Sequence, residues 1–304
     1  MDLPGYEFRA PVKDDLDAVA DVLLADEPDE AGQTLDAHFV ANQWNRAGFD
    51  LSTDAWVAVD GAGTIVGYGQ VMPDPEVVGS WGAVHPDHRG RGIGSALLDR
   101  IEGRAAEMFA ADGHRRFRHS INASDRVAAA MLQARGLRLV RHFWHMQIDF
   151  VEPPDPGRTP GGIEIGEVDS PDDFRAVHGV LDQAFADDWS YHPEPFDQWL
   201  EDYASSPDYD PTLWSLARDT DVPVGALVAH AGGDRGWVTE LGVLADHRGR
   251  GIAAALLRRS FAALASRGIR QVILNVDAEN PSATGLYERV GMRVVKQWDL
   301  WERA

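Results

Sequence analysis

Apolar positions along the chain switch between a period of two and a period near 3.6, and the whole succession occurs twice. In the first half Tyr6–Ala10 predicts a short strand, and Asp14–Ala25 a helix whose first turn is acidic, as the helix dipole favours. Ala55–Val59, Thr64–Met72 and Val77–Val84 are apolar runs of strand length. Ile93, Leu97, Leu98 and Ile101 then recur at helical spacing. Phe117–Ile121 predicts a strand, Arg126–Ala134 a helix that stops at Gly136, and Leu137–Phe150 a long strand. The second half follows suit with a strand at Ile163–Glu167 and a helix near Pro171–Phe185. Strands at Leu213–Ala217, Val224–Ala229 and Trp237–Val243 come next, before a helix at Ile252–Ser266. A strand at Gln271–Val276, a helix at Ser282–Val290 and a strand at Met292–Trp301 complete it. Each half is expected to be an α/β unit, a mixed sheet flanked by helices, antiparallel at first and then crossing over through helices.

The repetition extends to the letters. Val84–Leu98 reads VHPDHRGRGIGSALL and Val243–Leu257 reads VLADHRGRGIAAALL, so DHRGRGI recurs unchanged, 159 residues on. Seven matches in register identify a duplicated domain. The Pro/Gly-rich stretch Glu152–Gly162 lies between the copies as a linker. The expected organisation is a first domain over 1–151, a linker over 152–162 and a second domain over 163–304.

Charge narrows the partners. The chain has 28 Lys+Arg against 49 Asp+Glu, a net charge of −21 over 304 residues. Of these, 14 basic and 25 acidic residues lie in Met1–Asp155, so the acidity is spread over both halves. Such a surface repels phosphate backbones, which disfavours a nucleic-acid partner and favours a cationic one. No apolar run approaches the roughly 18 residues of a membrane span, and Met1–Ala10 lacks the pattern of a signal peptide. A soluble cytoplasmic protein, monomer or homodimer, is expected. With no cysteine, disulfides, thiolate metal sites and a cysteine nucleophile are excluded. No His/Asp/Glu cluster has metal-ligand spacing, so no metal is expected.

Against that acidity the repeated loop stands out. Gly90, Gly92 and Gly94, like Gly249 and Gly251, let the backbone approach a ligand closely. The helix behind them offers unpaired N–H groups to a phosphate. Arg89, Arg91, Arg248 and Arg250 add positive charge. The plain alternative is a glycine-rich turn between solvated arginines. A Rossmann fingerprint fits poorly, since its last glycine falls on Ser95 or Ala254 and the loop comes late in the domain. The Gly-Lys-Ser/Thr of a P-loop is absent.

Strand, then V-x-P-x-x-R-x-x-G-x-G/A, then an amphipathic helix resembles the acetyl-CoA signature of the GNAT superfamily of N-acetyltransferases. The second copy adds Asn280, Ala283, Leu286-Tyr287-Glu288 and Gly291-Met292, similar to the distal part of that signature. The tandem arrangement resembles that of the mycothiol synthase type. The resemblance covers both halves outside the linker and implies two splayed mixed sheets. In each, the pantetheine arm of acetyl-CoA would lie between the fourth and fifth strands. Carried over, the backbone of Leu241, Gly242 and Val243, or of Gly82, Ala83 and Val84, would hold the pantetheine amides. The loops Arg248, Gly249, Arg250, Gly251, Ile252, Ala253, Ala254 and Arg89, Gly90, Arg91, Gly92, Ile93, Gly94, Ser95 would hold the pyrophosphate, with Asn280 nearby.

Aminolysis of a thioester needs a base for the amine and a proton donor for the departing thiolate. In the second half Glu240, an acid inside an apolar strand, and Tyr287, on the family's general-acid position, are the candidates. Solvent exposure or an ion pair for Glu240, and simple packing for Tyr287, are the alternatives. The first half has Trp81 and Leu132 at the matching positions. Its spacing from Asn122 to Gly136 is 14 residues, against 11 from Asn280 to Gly291. The first domain is therefore expected to be non-catalytic and the second catalytic. In Ala184–Trp214, the segment that shapes acceptor pockets in the family, Trp189, Tyr191 and His192 are candidate acceptor contacts, while Phe196, Trp199 and Leu200 suit a core better. The expected activity is acetyl transfer from acetyl-CoA to a primary amine of a small molecule, by direct attack in a ternary complex. Acetylation of a protein N-terminus or lysine, or a non-catalytic acyl-CoA sensor, remain the alternatives.

Overall fold

A computed structural model describes residues 3–26, 35–46, 48–72, 77–112, 116–152, 154–189 and 191–303. Pro153 of the linker and Ser190 of the acceptor segment lie outside them. The first half of the chain forms β1 (Tyr6–Arg9), α1 (Leu16–Asp26), α2 (Ala37–Trp44), β2 (Ala55–Asp60), β3 (Ile65–Met72) and β4 (Val77–Val84). It continues with α3 (Ile93–Asp112), β5 (Arg116–Asn122), α4 (Arg126–Ala134) and β6 (Arg138–Asp149). The second half forms β7 (Ile163–Gly166), α5 (Pro171–Phe185), α6 (Phe196–Ala204), β8 (Ser215–Asp219), β9 (Val222–Gly232) and β10 (Arg235–Val243). α7 (Ile252–Ser266), β11 (Gln271–Asp277), α8 (Pro281–Arg289) and β12 (Arg293–Arg303) complete it.

The predicted succession holds, with local differences. The helix expected from Asp14 opens with a 3-10 turn at Lys13–Asp15. Pro211 starts another such turn, which delays β8 to Ser215. α2 is an addition to the expected elements; Asp36 caps it by accepting from the Phe39 amide at 2.9 Å. α6 gathers Phe196, Trp199 and Leu200 on one face, as their spacing suggests.

The chain divides into two units: 1–144 with 277–279 and 295–304, and 145–276 with 280–294. In the first, the strand order is β1-β2-β3-β4-β5-β12. Among the described residues of these strands β4 and β5 are the parallel pair, and β12 lies antiparallel to β5 from Trp298↔Asn122 to Arg303↔Phe117. The last strand of the chain thus completes the sheet of the first unit. In the second, the order is β7-β8-β9-β10-β11, and the distal residues of β6 lie beyond β11. There β10 and β11 are the parallel pair.

Each sheet is covered on both faces. In the first unit Val19, Leu23, Val40 and Tyr68 form one core with α1 and α2, and Val71, Leu98, Ile101, Phe117 and Leu132 another with α3 and α4. In the second, Val177, Leu181, Trp199, Trp214 and Val228 pack with α5 and α6, while Leu256, Phe261 and Leu264 of α7 are buried as well. A fully buried side chain of this size contributes about 2 kcal/mol. These cores hold the parallel strands at one end and let them part at the other.

Candidate active site

The fork between the parallel strands is the starting point. β10 pairs with β11 only from Arg235↔Gln271 to Trp237↔Ile273, and β4 with β5 only at Val77↔Arg116 and Val78↔Phe117. Beyond those pairs, the inner edges of β10 and β4 have no strand partner among the described residues, so their backbone groups are open to a ligand.

The repeated loop stands at the open end of each fork. Gly249 and Gly251 take φ of +76° and +82°, and Gly90 and Gly92 +74° and +87°, which L side chains rarely adopt. No side chain caps α7 at Gly251. The first bond of the helix runs from the Ala255 amide to the Gly251 carbonyl at 3.1 Å, and that of α3 from Ala96 to Gly92 at 3.0 Å. The amides before Ala255 and Ala96 are the orphan donors of a helix N terminus, where an anion is favoured.

The arginines brace this cradle. Arg248 donates through Nε to the Val243 carbonyl and through Nη2 to the Ala184 carbonyl, both at 3.0 Å. Arg89 makes the same Nε bond to Val84 at 3.4 Å and pairs with Asp26. Arg250 turns to Asp219 at 2.6 Å, and Arg91 to the Asp87 carbonyl at 2.9 Å. Arg250 and Arg91 are thus not brought to the cavities, whereas the other cradle residues are.

In the second unit, a cavity of about 440 Å³ is lined by Leu241, Gly242, Val243, Arg248, Gly249, Gly251, Ile252, Ala253, Ala254, Asn280 and Tyr287. Asn280 also caps α8 by accepting from the Ala283 amide at 3.1 Å. Phe185, Asp188, His247 and Arg289 line the same space; Asp188 is an acid of the acceptor segment and His247 a member of the repeated loop, whereas Phe185 and Arg289 carry no such signal in the sequence. In the first unit, a cavity of about 410 Å³ is lined by Gly82, Ala83, Val84, Arg89, Gly90, Gly92, Ile93, Gly94 and Ser95.

Glu240 sits on a bulge. β10 pairs with β9 in register from Val243↔Gly225 back to Glu240↔Val228, then shifts by one residue before Val238↔Ala229. Thr239 is the extra residue, and bulges of this kind re-aim side chains. Glu240 Oε2 accepts from Tyr203 Oη at 2.9 Å and from Trp199 Nε1 at 3.1 Å. Burial pushes its carboxyl above the ordinary range, while the two hydrogen bonds and His178 oppose that shift and Glu194 adds to it. Trp199 is a core residue, as expected, that also presents its N–H to the acid. Tyr203 is not among the expected site residues; its place four residues after Trp199, on the same face of α6, is the available signal.

Tyr287 is buried on α8 and lines the cavity. Burial, then the charge of Asp188, pushes its phenol up to about 12. Of the acceptor candidates, Tyr191 donates to Asp182 at 2.5 Å and contacts the Phe185 ring. Burial, Asp182 and Glu240 raise its pKa. Trp189 is partly buried and His192 exposed; neither lines the cavity.

The first unit differs at each chemical position. β4 pairs with β3 from Val84↔Gly67 to Gly79↔Met72 with no shift, so it has no bulge. Trp81 packs its ring 5.5 Å from Tyr68 and 5.8 Å from Phe39, and Leu132 is fully buried. Among the described residues, no group of three His, Cys, Asp or Glu could hold a metal ion, and no helix is long and apolar enough to cross a membrane.

Residues 177–292 match the acetyltransferase (GNAT) family model, and residues 52–136 match an acetyltransferase (GNAT) domain model. A mycothiol acetyltransferase of Streptomyces coelicolor is 32% identical over 260 residues, 81% of this chain and 78% of that protein. One from Thermobispora bispora is 33% identical over 219 residues, 68% of this chain and 70% of its own. Among solved structures, a GCN5-related N-acetyltransferase from Sphaerobacter thermophilus aligns with a TM-score of 0.87 at 31% identity, over 99% of this chain and 96% of that one. A tandem GNAT protein from the clavulanic acid biosynthesis pathway shares the fold, with a TM-score of 0.73 at 18% identity over 98% of both chains.

Proposed function

The chain belongs to the GNAT acetyltransferase family, an acyltransferase enzyme with two tandem GNAT domains, and from that premise we propose that its C-terminal half transfers acetyl from acetyl-CoA to a primary amine of a small molecule. The observation that carries the reading is Tyr287 on the lining of a cavity that ends on an anion cradle, with Glu240, which is not itself on that lining, held by Trp199 and Tyr203 one residue before the lining residue Leu241. The N-terminal half has the cradle without the pair, and is non-catalytic in this reading.

The residues present fit the cofactor. The amides opening α7 take the pyrophosphate, and the free edge of Leu241–Val243 meets the amides of the arm. Bound acetyl-CoA supplies the activated acyl group. Glu240 takes the proton of the attacking amine, directly or through a water; its raised pKa brings it nearer the operating pH. The amine nitrogen bonds to the acyl carbon and the C–S bond breaks. Tyr287 meets the departing sulfur as an O–H donor, protonated at every working pH. Handing the proton over fully, from about 12 to a thiolate near 8.5, would be uphill, so its main contribution is a hydrogen bond to the charge developing on sulfur.

Glu240, Asp182, Glu194 and Asp188 make the surroundings of the fork acidic, which suits an ammonium-bearing acceptor. The relatives' name points to the same class, so the amine that mycothiol acetyltransferases acetylate belongs among the acceptors tried. The test is thiol release from acetyl-CoA with a panel of small amines and with lysine-bearing peptides. Release with a small amine is expected. Release with peptides alone would transfer the reading to protein acetylation.

A further inference from the structure

The N-terminal cavity shares the cradle of its counterpart, but its far end is built differently. Where β4 and β5 part, the lining comes from both faces of the sheet: Leu98, Ile101 and Leu132 from the α3/α4 side, Leu23, Leu35 and Trp81 from the α1/α2 side. Trp81 stands where the other half has Glu240. The two acids on the lining are engaged: Asp26 pairs with Arg89, and Asp125 caps α4 by accepting from the Ala128 amide at 2.8 Å. The space offers little to an ammonium group and an apolar wall on two sides to a hydrocarbon.

One buried polar group is aimed into it. His119 is 5% exposed and lines the cavity. Its Nδ1 lies 2.7 Å from Ser80 Oγ, which in turn lies 2.8 Å from the Arg118 carbonyl. The carbonyl can only accept, so the Ser80 proton goes there and His119 must donate Nδ1–H to Ser80. Nε2 is left as a lone pair with no partner among the described residues. Burial pushes the ring down to about 4, so it stays neutral. Six residues before the cap of the following helix, as His119 is before Asp125, the C-terminal half has Leu274 before Asn280. This acceptor is a feature of one half.

We propose that the N-terminal cavity binds an acyl-CoA whose acyl chain is apolar and longer than acetyl, and holds it without turnover. The amides opening α3 take the pyrophosphate, and His119 Nε2 accepts an amide N–H of the pantetheine arm. The chain lies between Trp81 and the Leu98, Ile101 and Leu132 side chains. This rests on the assignment of the repeated cradle to CoA.

The test is calorimetric titration of the full chain with acetyl-, butyryl- and octanoyl-CoA. Ala253→Glu and Gly94→Glu each set a negative charge against one cradle, in a first helical turn where the dipole tolerates it. In Ala253→Glu one site should remain, tightening up to about fourfold per added methylene and at least tenfold from acetyl to octanoyl. It should release no thiol. Adding Gly94→Glu should abolish it, and His119→Phe should weaken all three ligands about threefold to tenfold while keeping their ratio. The proposal is overturned if Ala253→Glu leaves no site, if the remaining site ignores chain length, or if it survives Gly94→Glu. Full turnover in Ala253→Glu would instead count against the C-terminal cofactor assignment and would leave the binding result readable.

Discussion

The two halves present the same backbone to a ligand and different side chains to a reaction. In both, two glycines at positive φ open a helix N terminus beside parted parallel strands. Only the C-terminal half adds a one-residue bulge at Thr239, a carboxylate at Glu240 and a phenol at Tyr287. The proposed anion binding relies on main-chain N–H groups, so it would survive any side-chain change that keeps the loop. In the proposed mechanism proton transfer relies on two side chains and one register shift, so three local differences would suffice to separate the halves.

The comparison breaks most sharply at Glu240. Glu240→Gln keeps the shape and the donors but removes the base, and should lower kcat by about a hundredfold or more. A change of less than about threefold would move the base elsewhere. Tyr287→Phe should lower kcat at least tenfold with acetyl-CoA affinity nearly unchanged, read from steady-state kinetics and a binding isotherm. The pH profile separates the two roles. Glu240 must be ionised and its pKa is raised, so kcat/KM should fall as pH drops through a value above the ordinary glutamate 4.3 or so. Tyr287, pushed to about 12, should add no alkaline limb below roughly pH 10. Tyr203→Phe takes away a hydrogen bond that favours the carboxylate, so it should carry the acidic limb to higher pH and lower kcat at neutral pH a few-fold. A limb that stays in place would exclude Tyr203 from tuning the acid.

The smallest contrast concerns packing. A methyl on Gly242 would lie 2.8 Å from Ala184 Cβ and 3.1 Å from Leu181, whereas one on Gly94 would meet nothing nearer than 3.5 Å. Gly242→Ala should destabilise by about 1–3 kcal/mol and Gly94→Ala by nothing, or even stabilise by up to about 1 kcal/mol. Thermal melts of the two variants check this.

Much of this molecule is legible in its amino-acid sequence. The period of the apolar residues locates nearly every strand and helix, because each buries one face or both. The repeated DHRGRGI block locates both cradles, since glycines at fixed spacing before a helix have few other uses. Three features stay hidden at that level. The strand at Arg293–Arg303 announces itself as a strand, but alternation says nothing about its partner, and it pairs with β5 in the first unit. The direction of Arg248 and Arg250 is hidden because a long cation can brace a loop as readily as face a ligand. The hold of Trp199 and Tyr203 on Glu240 is masked by their apolar bodies, which give a helix the periodicity of a core while their N–H and O–H reach a buried acid.

Chemistry confined to one half is the central claim, and the double variant Glu240→Gln/Tyr287→Phe tests it most directly. With a small amine acceptor that the unaltered protein uses, single-turnover thiol release is measured beside acetyl-CoA binding. Binding retained with release lowered by about a thousandfold or more is the predicted result. Binding retained with release within about tenfold of the unaltered protein would contradict it, and would show that acyl transfer does not depend on this pair.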